Sequence, residues 1–318
     1  MEVYASDLQL CTDIRRNLES CILGKEREIE LVLIALLAGG HLLLEDVPGT
    51  GKTQLVKALA RSIGGDFRRI QCNPDLLPTD ITGLTIYHPR EEQFIFRPGP
   101  IMSHLVLADE INRATTKTQS ALLEAMEERS ITVDGETYSL PSPFILIATQ
   151  NPIEFEGTYL LPEAQMDRFM MRLSLGYPGE AEERRMVLKQ ESGHPSDLLG
   201  RVAEIGDIVK LQELAEKVHV DEAVGEYLVR LVRSTREHEG VQLGASPRAA
   251  VALMRAAKAR ALIEKREYVI PDDVKQLAVH VLSHRLLLKP AARLGGTRAE
   301  TVIEDVIGRT KVPVRLER

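Results

Sequence analysis

Cysteine is scarce in this chain. Cys11, Cys21 and Cys72 cannot all pair and do not stand at metal-ligand spacing. Reduced thiols in a cytoplasmic protein are therefore expected. Eight histidines are spread over 318 residues, and a metal site built from them is not expected. Basic excess is also missing: 40 Lys and Arg stand against 47 Asp and Glu, a net charge of −7. Bulk electrostatic capture of nucleic acid is not favoured by that balance, so nucleic acid is not an expected partner. The longest apolar stretch, residues 31–44, is broken by Gly39-Gly40 and is too short to span a bilayer. Residues 1–7 show no basic region leading into an apolar one, as a secretion signal requires. A soluble chain of two domains fits this length and its 44% hydrophobic content.

Apolar residues at helical spacing (Leu31, Ile34, Ala35, Ala38) predict a helix that stops at Gly39-Gly40, before a strand over 41–44. The next helix carries Leu55, Val56, Leu59, Ala60 and Ile63 on one face. Further strands are expected over 67–71, 105–108 and 144–148. Uniformly apolar strands alternating with helices predict a parallel sheet covered on both faces. Two hairpins interrupt it, over 84–87 with 93–96 and over 131–133 with 136–138, the second turning at Asp134-Gly135. After Tyr177-Pro178-Gly179 nearly everything reads as helix, including 221–237, a helix capped by Ser246-Pro247, and another opened by Pro271-Asp272-Asp273. A domain boundary is expected near 178, giving 1–177 and 178–318.

The segment Glu45-Asp46-Val47-Pro48-Gly49-Thr50-Gly51-Lys52-Thr53 lies between the first strand and its helix. That is the setting of a phosphate-binding loop, where backbone N–H groups and a helix N-terminus face one anion. Pro48, Gly49, Thr50 and Gly51 would cradle phosphates, Lys52 would reach the outer ones, and Thr53 would ligate Mg²⁺. Asp46 occupies the position where this pattern usually has its first glycine, so its carboxylate must turn away. Read alone, the segment also fits an ordinary glycine-rich turn.

Leu105-Val106-Leu107-Ala108-Asp109-Glu110 ends a buried strand in two acids. Asp109 is placed to hold Mg²⁺ and Glu110 to polarise an attacking water, although the pair alone also fits a helix cap. Asn151, after the apolar strand 144–148, could orient that water or simply begin an Asn-Pro turn; Thr149 could share the role. The helix with Arg255, Lys258, Arg260 and Lys265 has charges all around it and no aromatic platform, and reads as a solvated face.

The order of these segments, followed by Leu161-Pro162-Glu163-Ala164-Gln165-Met166-Asp167-Arg168-Phe169 and Gly244-Ala245-Ser246-Pro247-Arg248, resembles the AAA+ ATPases. In finer detail it resembles the MoxR family, through Ile22-Leu23-Gly24-Lys25, through Ala108-Asp109-Glu110-Ile111-Asn112-Arg113-Ala114 and through Gln150-Asn151-Pro152. The two hairpins match insertions of that clade, and Asp46 its commoner loop variant. Lys25 stands where members often have Gln.

The resemblance implies an α/β fold: an αβα sandwich with a parallel sheet in the order 5-1-4-3-2, followed by an all-α lid. It implies ATP and Mg²⁺ as ligands, Leu23 and Gly24 at the adenine, and Gln165 near the nucleotide. Arg168 would be an arginine finger acting on a neighbouring subunit, with Arg113 a second candidate, and Arg248 would reach the phosphates of its own subunit. It further implies a hexameric ring and chaperone-like remodelling of a protein partner, often one with a von Willebrand factor A domain. A magnesium-chelatase-like motor subunit and a nucleotide-gated scaffold that barely hydrolyses ATP are the competing readings.

Overall fold

The computed structural model describes residues 2–151, 158–188 and 199–313, with side chains from Leu8 on; Pro152 lies outside the described residues. Its first strands are β1 (Leu42–Glu45), β2 (Phe67–Gln71), β3 (Gly83–His88), β4 (Gln93–Pro98) and β5 (Leu105–Asp109). They are followed by β6 (Ser130–Val133), β7 (Glu136–Ser139), β8 (Ile145–Gln150) and β9 (Met171–Leu173). Around them run α1 (Glu2–Cys21), α2 (Glu26–Leu37), α3 (Lys52–Ser62), α4 (Pro78–Thr82), α5 (Thr116–Glu128) and α6 (Glu163–Met166).

Five strands form one sheet in the order β2-β5-β8-β1-β9, and every pairing is parallel. Counting those five strands alone, this is the order 5-1-4-3-2. The strand pattern explains why the sheet is covered twice. Leu42 and Leu44 join one apolar cluster with Leu105, Leu107, Ile145 and Ile147. The intervening Leu43 joins a second cluster with Val106, Ala108, Leu146 and Ala148. Successive side chains point to opposite faces, so a strand apolar at every position needs helices on both. Each fully buried leucine contributes about 2 kcal/mol against exposure, and residues 42–44 are all wholly buried.

Both hairpins form, β3 with β4 and β6 with β7. Asp134 and Gly135 take φ of 52° and 86°, the double left-handed turn that Asp-Gly tolerates. Phe96 stacks on Tyr138 with centroids 4.1 Å apart, which joins the two hairpins.

Beyond β9 lie α7 (Glu180–Leu188), α8 (Ile205–Lys217), α9 (Glu222–Glu237), α10 (Pro247–Ile263), α11 (Pro271–Leu282), α12 (Pro290–Leu294) and α13 (Ala299–Arg309). This half is not wholly helical: β10 (Val241–Leu243) pairs antiparallel with β11 (Leu287–Leu288). Both strands are too short to carry a readable period. The cluster under Leu42 and Leu44 continues through α2 into α8, α9, α10 and α11, so core and lid share apolar packing. His280 and His284 have an i, i+4 spacing that the reading of the histidines above passes over. Burial, with Arg285 beside it, holds His284 neutral, and its Nε2 lies 3.0 Å from the carbonyl of Phe169. Among the described residues no cluster of three metal-ligating side chains includes them. No helix among the described residues is long and apolar enough to cross a membrane.

Candidate active site

The carboxyl ends of β1, β5 and β8 lie side by side in the sheet, so the loops leaving them share one edge. A cleft of 380 Å³ opens there, lined by Asp46, residues 48–54, Arg69, Asp109, Glu110, Thr149, Gln150 and Asn151. Segments more than 100 residues apart in the chain thus meet at the place where parallel sheets bind ligands.

The turn before α3 depends on glycine. Gly49 and Gly51 have φ of 84° and 89°, and Gly51 is the residue from which α3 begins. A Cβ on either would meet nothing within 4 Å. Backbone conformation, not crowding, requires glycine there. Lys52 lays its ammonium on the loop, donating to the carbonyls of Val47 (2.7 Å) and Asp46 (3.2 Å).

Asp46 turns its carboxylate away from the cradle. Oδ1 accepts from Val47 N at 3.0 Å, and Oδ2 accepts from Leu175 N and Gly176 N, both at 2.8 Å. The residue therefore pins the start of the loop to the chain leaving β9. Asp46→Gly, which restores the commoner glycine, is expected to lower the unfolding free energy by about 3 kcal/mol, because three N–H groups lose a charged acceptor. Denaturant melting tests this, and an unchanged midpoint would show that the carboxylate does not hold the loop.

Asp109 is buried, and both oxygens are engaged. Oδ1 accepts from Thr149 Oγ1 at 2.5 Å, and Oδ2 accepts from Arg69 through Nε (3.0 Å) and Nη2. Thr149 Oγ1 in turn accepts from Glu110 N at 2.8 Å. Glu110 sits at φ 57° and ψ 51°, an uncommon conformation for a non-glycine residue that costs about 1 kcal/mol or more. Its carboxylate faces Gln71 Nε2 (3.0 Å) and Arg113 Nη1 (3.4 Å) and makes no helix-capping bond. Sequence reasoning missed Arg69 and Gln71. The signal was there: two polar residues at i and i+2 near the carboxyl end of β2 point to one face. Burial and then the two neighbouring acids push the Cys72 thiol up to about 12, which keeps it neutral.

Arg168 and Arg248 lie outside the residues lining this cleft. Both pair with one carboxylate, Glu127 near the end of α5, at 3.0 Å and 2.9 Å. Arg248 therefore rests on Glu127 and not on a residue that lines the cleft. The reason lies one residue before Arg168. Asp167 accepts from Ser246 Oγ, the N-cap of α10, at 3.0 Å, and from the buried Arg285 Nε at 2.7 Å. Arg285 also donates to the carbonyls of Asp167 and Phe169. That joint fixes the first turn of α10, which carries Arg248, beside Arg168.

Leu23, Gly24 and Gln165 are not among the residues lining the cleft. Gly24 has φ 67°, and a Cβ there would come within 2.8 Å of Glu182 Cγ. Lys25 Nζ ties this turn to the Tyr177 carbonyl at 3.0 Å. Gln165 Oε1 is buried without a hydrogen-bond partner among the described residues.

Known proteins share both the sequence and the architecture. Residues 41–171 match the family described as ATPases associated with various cellular activities, and residues 233–306 match the AAA lid domain. The chain is 52% identical over 98% of its length to the uncharacterized protein YeaC of Bacillus subtilis, covering 98% of that protein. It is 44% identical to Chaperone MoxR1 of Mycobacterium tuberculosis, over 92% of this chain and 79% of that one. The crystal structure of a Cytophaga hutchinsonii protein assigned as an ATPase superposes with a TM-score of 0.92 at 37% identity, covering 98% of this chain and 97% of that one.

Proposed function

The chain belongs to the MoxR family of AAA+ ATPases, and from that premise we propose that it binds and hydrolyses ATP with Mg²⁺ in a closed ring. One observation carries this: the loop 46–53, Asp109, Glu110 and Asn151 share a cleft, while Arg168 and Arg248 share Glu127 outside it. The open cradle at Gly49 and Gly51 suits a polyphosphate. A hydroxyl and a carboxylate, from Thr53 and Asp109, suit Mg²⁺, which would neutralise charge between the outer phosphates. Lys52 leaves its loop carbonyls to meet that charge. Glu110 takes a proton from water as the water oxygen bonds to the terminal phosphorus and the bond to the ADP oxygen breaks. Asn151 orients that water. We place the division between nucleotide-binding core and lid at 1–177 and 178–318, beside the pinned Leu175 and Gly176.

Arg168 and Arg248 are both assigned to the nucleotide of the neighbouring protomer. Their guanidinium groups leave Glu127 for phosphoryl oxygens, whose charge spreads in the transition state. The expected outcome is complementation in mixed rings, because a head-to-tail interface takes one half-site from each protomer. Arg168→Ala and Lys52→Ala are each nearly inactive alone. Mixed in equal amounts, they restore about a quarter of wild-type turnover, the share of interfaces that pair two intact half-sites. Arg248→Ala mixed with Lys52→Ala behaves likewise. Recovery for Arg168 but not Arg248 would return Arg248 to its own subunit, and no recovery for either would remove the shared site.

The work done is remodelling or maturation of a protein partner. Tyr87 and Phe94, exposed at 51% and 73% on the first hairpin, supply apolar surface for such contact. A partner with a von Willebrand factor A domain rests on the family resemblance alone. Capture with ATP-loaded Glu110→Gln, a form that holds its substrate state, identifies it.

A further inference from the structure

A second cleft, of 490 Å³, opens between core and lid at the amino end of β1, whereas the phosphate loop follows its carboxyl end. Core residues reach it from the end of α2 (37–39) and from the C-cap of α5 (Arg129), and lid residues from α8 and α10. Its polar lining is mainly basic, with Arg129, Arg255 and Lys258; Glu216 contributes a carboxylate. Leu37, Val251 and Met254 supply an apolar wall.

The two arginines face each other across Gly39. A Cβ built on that glycine would stand 3.3 Å from Arg129 Nη2 and 3.1 Å from Arg255 Nη2. Arg129 donates to the Gly39 carbonyl at 2.6 Å, and Lys258 Nζ donates to the Glu216 carbonyl at 2.8 Å. These bonds cap the ends of α2 and α8, an ordinary use of cations at helix C-termini. Capping accounts for one donor of Arg129 and none of Arg255, which has no hydrogen bond or ion pair among the described residues. Neither arginine pairs with a carboxylate among the described residues.

The uncompensated charge is felt by its neighbours. Burial and then Arg255 lower Arg129 from its usual value. Burial first, then Arg129, with Arg255 adding to both, holds His41 down to about 3. Leu146 N donates to His41 Nδ1 at 3.0 Å, and Nε2 lies 3.1 Å from the Met126 carbonyl, so the ring is neutral and cannot supply the missing anion. A partly buried Arg129 beside the exposed Arg255 presents two guanidinium forks that a compact anion can bridge.

We propose that this cleft binds a small organic phosphate, its phosphate between Arg129, Arg255 and Lys258 and its apolar part against Val251 and Met254. The volume falls within the usual range for small-molecule sites. Such a ligand bridges core and lid. Arg255 lies two helical turns after Arg248 on α10, and Arg129 lies two residues after Glu127, so the site adjoins the arginine joint without belonging to it.

Thermal unfolding with inorganic pyrophosphate tests the site, in a Lys52→Ala background that weakens the phosphate loop equally in every sample. Pyrophosphate at about a hundredfold above its Kd should raise the Tm by roughly 4 °C. Adding Arg255→Glu should abolish that rise, whereas Arg255→Lys should retain part of it. Without ligand, Arg255→Gln should melt no lower than its parent, since it removes a repulsion and no bond; this shows that lost binding is not lost folding. An equal rise with and without Arg255→Glu, or no rise at all, overturns the proposal. An equal response to succinate overturns its assignment to phosphate.

Discussion

Replacing Lys52 by alanine is expected to weaken ATP binding by about two to four orders of magnitude, with the fold intact. The ammonium makes two bonds to loop carbonyls, at 2.7 and 3.2 Å. Both are partly exposed and exchangeable with water, so losing them costs little stability. Against a triphosphate the same ammonium makes charge-assisted bonds worth about 1.5–3 kcal/mol each, and two such bonds span that range. Titration of a fluorescent ATP analogue measures it. Unchanged affinity would mean that the nucleotide does not lie along 49–53, and the proposed reaction would go with it.

Glu110→Gln separates binding from chemistry. Turnover is expected to fall by about 10²–10⁴-fold, the usual share of a positioned base, while ATP affinity stays within a few-fold. The amide matches the carboxylate in size. The backbone bond from Glu110 N to Thr149 and the left-handed turn at φ 57° do not depend on the side-chain charge. Single-turnover hydrolysis and equilibrium binding on one sample settle the division. Turnover within tenfold of wild type would assign the proton to another group, and equally reduced binding would show that Glu110 holds the substrate rather than the water. Negligible turnover in the unmodified protein, at ring-forming concentration and with partner present, would favour the non-hydrolysing scaffold.

Much of the core was readable because its signals are local. Residues 42–44 and 105–108 are apolar at every position, the pattern of a doubly covered parallel strand, and Gly51-Lys52-Thr53 opens the helix that follows. Local order also showed that Asp46 had to turn its carboxylate outward. It could not show where: the acceptor serves Leu175 and Gly176, 129 and 130 residues away. The i, i+2 polar pair marked Arg69 and Gln71 as a candidate face, but not the partner of Arg69, since its bond to Asp109 depends on β2 lying beside β5.

The arginines mark the limit most clearly. The resemblance assigns Arg168 to a neighbour and Arg248 to its own nucleotide, but it says nothing of Glu127, which holds both here. That outcome rests on how the lid sits, through Ser246, Asp167 and Arg285, which are far apart in the chain. Likewise Arg255 and Lys258 read as part of a solvated face, and Arg255 is indeed exposed, but only folding brought Arg129 close to Arg255.

Periodicity and glycine placement determined an α/β core with a following, mostly helical region, because each is written within a few residues and selected by backbone sterics and burial. Tertiary structure alone decided which charges meet at these sites, because Arg69 and Asp109 lie 40 residues apart and Arg248 and Glu127 lie 121 apart.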